Sequence, residues 1–138
     1  MRRAEKNGYF AYIDNLFWAH DLLDRYGQGE DELWNAGNYF LTLEEAAVMN
    51  KRFHDLIDEI HPEIKGWRAE KGGTYYCIIF EMMIVVETTD EDERLRDYDN
   101  AAGIRHKNRN YFPTREIAEE MAEKFRALLK EHKEGGAE

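Results

Sequence analysis

Residues 38–49 read NYFLTLEEAAVM, and residues 110–121 read NYFPTREIAEEM. Aligned without a gap, 38–60 and 110–132 share ten identical residues in 23, too many for coincidence. The matches include Asn38 with Asn110, Tyr39 with Tyr111, Thr42 with Thr114 and Phe53 with Phe125. Each copy reads as the start of a helix. Thr42 and Thr114 can cap free backbone N–H groups. Glu45, three residues after Thr42, completes a capping box, which Ile117 removes from the second copy. Apolar residues then recur at helical spacing, as Ala46, Met49, Phe53, Leu56, Ile57 and Ile60, and again as Ala118, Met121, Phe125, Leu128 and Leu129. The first helix should stop near His61, before Pro62, and the second should fray after His132.

The repetition extends upstream. RAEKNGYFAYI at 3–13 resembles RAEKGGTYYCII at 68–79, and both run into aromatic, β-branched strand sequence. Asp14-Asn15 marks a tight turn in the first copy. In the second, TYYCIIF and MMIVVE are separated by weaker turn chemistry. Each copy thus reads strand, strand, irregular loop, helix. The expected fold is α+β: two tandem ββα repeats, 3–61 and 67–132, in a single domain spanning 1–138. About a pseudo-two-fold axis they would share one four-stranded antiparallel sheet, with both helices on one face. Residues 133–138 read as a flexible tail.

A tryptophan, an aromatic strand and a GN-aromatic-F-x-T-x-E-E-A helix start together resemble small uncharacterised proteins of tailed phages and prophages. Trp67, Tyr75, Tyr76, Ile78 and Asn110–Ala118 carry the resemblance in the second copy, and Gly37–Ala46 in the first. Arg109 and Ile117 depart from the pattern, where it has Gly and Glu. The resemblance implies a mobile-element origin and a helix-on-sheet module, and it implies no activity.

Charge narrows the function classes. With 29 acidic against 19 basic residues the net charge is −10, which opposes unaided binding to nucleic acid or anionic membranes. The one cysteine, Cys77, sits in a strand and reads as a small core hydrophobe; with no internal disulfide available, a cytoplasmic setting fits. His54, Asp58 and His61 share a helix face at i, i+4 and i+7, but the charged face of an amphipathic helix often produces such triplets. No metal, cofactor or enzymatic activity is expected, since no phosphate loop, nucleophile elbow, HExxH or CxxC occurs.

The expectation is a binding protein that inhibits or modulates a host factor. It would present carboxylates to a basic groove such as that of a defence nuclease, in the manner of a DNA mimic or an anti-CRISPR protein. Glu30, Asp31, Glu32, Asp90, Glu91, Asp92 and Glu93 are the candidate acidic contacts, with Trp34 beside them. The loop ahead of the second helix is basic instead, and Arg105, Lys107 and Arg109 form a second candidate contact. If these three are rim charges, reversing them slows association and leaves stability alone. The alternative is a small nucleic-acid-associated accessory protein that uses 104–115, where a helix N-terminus follows basic and aromatic residues.

Overall fold

The computed structural model describes residues 1–90 and 101–135. The order of elements is β1 (Tyr9–Ile13), β2 (Ala19–Leu23), α1 (Gln28–Ala36), α2 (Leu43–Ile60), a 3-10 turn (Pro62–Gly66), β3 (Thr74–Ile79), β4 (Ile84–Thr89), α3 (Ala101–Asn108) and α4 (Arg115–Gly135). The class is α+β. The long helices start where the threonines place them: Thr42 Oγ1 accepts from Glu45 N at 3.1 Å and Thr114 Oγ1 from Ile117 N at 3.2 Å. The Glu45 carboxylate reaches back to Leu41 N, one residue before the cap, instead of closing the expected box.

The strands do not form one four-stranded sheet. They form two separate antiparallel hairpins, β1 with β2 and β3 with β4. The NYF stretches lie along the second edge of each inner strand. Phe40 pairs with Ala11, and Phe112 with Tyr76, each through a reciprocal pair of backbone hydrogen bonds of 2.7–2.9 Å.

The asparagines and tyrosines of the same stretches bind further. Asn38 Oδ1 accepts from Ile13 N at 2.8 Å, and its amide donates to Ile13 O and, in the other half of the chain, to Phe80 O. Asn110 does the same with Ile78 N and Ile78 O, and its amide crosses to Asn15 O at 2.6 Å. Tyr39 OH donates to buried Asp24 at 2.6 Å, and Tyr111 OH to buried Asp90 at 2.7 Å. Arg3 and Arg68, the first letters of the RAEK segments, hold these two aspartates. Burial would push the Asp24 carboxyl up, but hydrogen bonds from Arg3 and Tyr39 outweigh it and keep its pKa below the usual value.

The RAEK segments close as tight turns, with Gly8 N donating to Glu5 O and Gly73 N to Glu70 O. A Cβ on Gly73 would lie 2.8 Å from Glu70 O, so the turn requires glycine there.

Other expectations change. The loops ahead of the long helices are helical, as α1 and α3. The first hairpin turn spans Asp14 to Trp18, held by Asp14 Oδ1 accepting from Leu16 N and Trp18 N. The second hairpin turn takes up residues 80–83, with Met83 at φ 54, so β4 begins only at Ile84. The supposed tail is partly structured: α4 continues to Gly135, and Lys133 donates to Trp34 O at 3.0 Å. Residues 136–138 lie outside the described residues.

α2 packs on β1 and β2, and α4 on β3 and β4. The two helices run antiparallel, since His61 at the end of α2 meets Glu120 near the start of α4 at 2.8 Å, while His132 lies beside Phe40 just ahead of α2. Between them sits one shared core. Phe53 stacks on Phe125 at 4.2 Å, and Phe17 and Phe80, from the two hairpin turns, complete an aromatic quartet. Cys77 is fully buried, and burial pushes its thiol pKa up. Truncating Phe53 or Phe125 to Ala should each cost about 3–5 kcal/mol in urea unfolding. Losses below about 1 kcal/mol at both would mean the quartet is not the centre of the core.

Candidate functional site

The acidic residues singled out from sequence mostly serve the fold. Glu30 Oε1 accepts from Arg25 N and Gly27 N, which fastens the start of α1. Asp31 pairs with Arg3 at 2.9 Å. Glu32 accepts from Gln28 one turn away. Asp90 is fully buried against Arg68 and Tyr111, so it is no surface carboxylate. Glu91, Asp92 and Glu93 lie outside the described residues. Trp34 is half-buried, edge-on to Tyr39, with Lys133 Nζ 4.1 Å above its ring.

The basic candidates also divide. Arg105 donates to Tyr75 OH at 3.0 Å, and Arg109 lies 3.0 Å from Asp58. His106, beside them, contacts Trp67 O. Arg105 and Arg109 thus have internal partners, and Lys107 alone of the three is exposed. The His54, Asp58 and His61 triplet is likewise dispersed. His54 packs edge-on to Phe17 at 4.4 Å, Asp58 faces Arg109, and His61 bridges Glu63 and Glu120. Among the described residues no group of three or more His, Cys, Asp or Glu side chains could hold a metal ion. No helix among them is long and apolar enough to cross a membrane.

Two arrangements escaped the sequence reading. The first is an acidic face on the helix pair. Glu44, Glu45, Asp55 and Glu59 on α2, and Glu116, Glu119, Glu120 and Glu123 on α4, are all exposed. Asp55 and Glu59, together with Arg52, border a shallow groove that Leu128 of α4 closes from the other side, and Asp55 pairs with Lys51 at 2.7 Å. The signal was available, because the period that assigns Phe53 and Phe125 to the core assigns these carboxylates to the opposite side.

The second arrangement is a titratable cluster at the hairpin turns. Asp14 Oδ2 lies 2.6 Å from His20 Nε2. Burial, then the nearby Asp14, raise the pKa of Glu81. Burial, Glu81 and Asp14 in turn raise that of Tyr12. Nothing in sequence spacing joins residue 81 to residues 12–20; the meeting of the two turns does.

Comparison with protein-family models, with curated proteins and with solved structures finds no match.

Two measurements follow from these placements. Ionisation of Glu81 costs stability as pH rises through its raised folded-state pKa. Glu81→Gln should therefore raise the melting temperature at neutral pH, and the gain should fade as pH drops below the ordinary glutamate value. Arg109→Glu should destabilise by about 1 kcal/mol through loss of the Asp58 pair and new repulsion, whereas Lys107→Glu should leave melting unchanged.

Proposed function

We propose that the protein is a non-enzymatic binding protein of mobile-element origin, built as two ββα repeats about a pseudo-two-fold axis. In this reading it acts in the host cytoplasm by protein–protein contact with a basic surface. The observation that carries the reading is the acidic face of the helix pair. On α4 four carboxylates fall within eight residues, Glu116 to Glu123; all four are exposed, and Glu120 is held by His61 at 2.8 Å. Helical rise spreads them along about 10 Å of surface. A row of carboxylates on a rigid helix resembles a run of phosphates in charge, and a rigid element loses little entropy when it docks. The partner class that fits is a protein with a nucleic-acid-binding groove, such as a defence nuclease, which the occupied groove would keep from its substrate. The matched Asn38 and Asn110 contacts, and the matched Arg–Asp–Tyr sets, support the two-fold reading. The alternative, an accessory protein binding nucleic acid through 104–115, is weakened because Arg105 and Arg109 are already engaged internally.

The test uses the purified chain as bait in host lysate, with mass spectrometry of the bound proteins. Bound partners should be nucleic-acid-binding proteins that duplex DNA displaces. A Glu116→Lys/Glu119→Lys/Glu123→Lys variant should retain them about tenfold less, while melting as wild type does. Partners that lack basic grooves, or retention indifferent to the reversal, would overturn the proposal.

A further inference from the structure

α1 ends in Ala36 and Gly37; 72 residues later, α3 ends in Asn108 and Arg109. Both ends turn the same way. Gly37 has φ 81 and donates to Trp34 O, and Arg109 has φ 69 and donates to His106 O. In the second copy the two side chains are long and turned to use. Asn108 Nδ2 donates to Leu16 O at 2.8 Å, and Arg109 Nε lies 3.0 Å from Asp58. In the first copy a methyl group and a hydrogen stand in their places, and the residue aligned with Asp58 is Lys130.

At this end of the first copy lies an open groove of about 650 Å³, lined among others by Ala36, Gly37, Met82, Arg126, Lys130 and Lys133. Among the described residues, Arg126, Lys130 and Lys133 form no ion pair. Arg126 donates to Met83 O and Lys133 to Trp34 O, both carbonyls. Lys130 is exposed. Glu134, one turn after Lys130 on α4, is the only carboxylate among the lining side chains. Met82, 48% exposed, supplies an apolar wall. The overall charge of the chain is negative, but at physiological salt a charge is felt over only about 8 Å, so the local cations decide what enters.

We propose that this groove binds an acidic peptide segment of a partner protein, its Glu or Asp side chain meeting Lys130, with a neighbouring aliphatic residue on Met82. The site takes the mirror of the internal pair: there a cation reaches a fixed carboxylate, here a carboxylate reaches a fixed cation. It is separate from the acidic helix face and does not depend on that face having a partner.

The test is a titration of the ¹⁵N-labelled full chain, followed by NMR, with the blocked peptide acetyl-Ala-Glu-Leu-Ala-amide and its Gln counterpart. The Glu peptide should move the amide signals of Ala36, Gly37 and Lys130, and the Gln peptide should bind about tenfold more weakly. Lys130→Asp changes an exposed helix residue, so the spectrum elsewhere should stay in place while affinity for the Glu peptide falls about tenfold or more. Gly37→Arg/Lys130→Asp, which rebuilds the Arg109–Asp58 pair in the first copy, should remove both the space and the charge; if that variant folds poorly, Lys130→Asp alone decides. Unmoved groove signals at millimolar Glu peptide, equal binding of the two peptides, or binding unaffected by Lys130→Asp would each overturn the proposal.

Discussion

Two buried carboxamides carry the architecture. Asn38 and Asn110 are wholly shielded from solvent, and a carboxamide in that position must find partners for its donors and acceptor or cost several kcal/mol. Each finds them on the backbone. The oxygen and one N–H complete a pseudo-bridge to the end of β1 or β3, and the amide also donates into the opposite hairpin turn. The flanking Phe then closes the strand edge, and the Tyr reaches the buried Arg–Asp pair. The three letters NYF thus fix the inner strand, the start of the long helix and the approach of the two halves together. An aspartate in place of either asparagine would leave two carbonyls facing a carboxylate.

Much of this was legible before the structure. The helical period of 43–60 and 115–132, the threonine caps and the paired phenylalanines of the core all follow from local spacing, and the structure keeps them. The repetition of RAEK ahead of a strand was visible as a pattern, and its cause was not. Arg3 acts on Asp24, and Arg68 on Asp90, across about twenty residues that carry no shared signature apart from the aspartates themselves. The two separate hairpins were hidden for a related reason. Strand composition reports that a segment is extended, but not which backbone occupies its second edge. Here that edge belongs to residues best read as the approach to a helix.

The charged candidates fared differently because charge in a sequence has no address. Glu30, Asp31 and Asp90 looked like surface because acidic residues usually are, yet one fastens a helix end, one pairs with Arg3 and one is in the interior. Arg105 and Arg109 looked like an excess of cation, yet each has a partner that is distant in sequence. The carboxylates of α2 and α4 drew less notice because they are dispersed at helical spacing instead of clustered in a run, and dispersal at that period is what gathers them onto one side of the helix pair.

The reciprocal crossing of the two asparagines also bears on how the chain comes apart. Each half holds a donor whose acceptor belongs to the other, and each turn places an aromatic ring in the common quartet. A half-chain folded alone would strand a buried amide and open its phenylalanines to water. Neither half is therefore a stable foldon, and loss of structure should proceed as one all-or-none event, without a species in which one half persists.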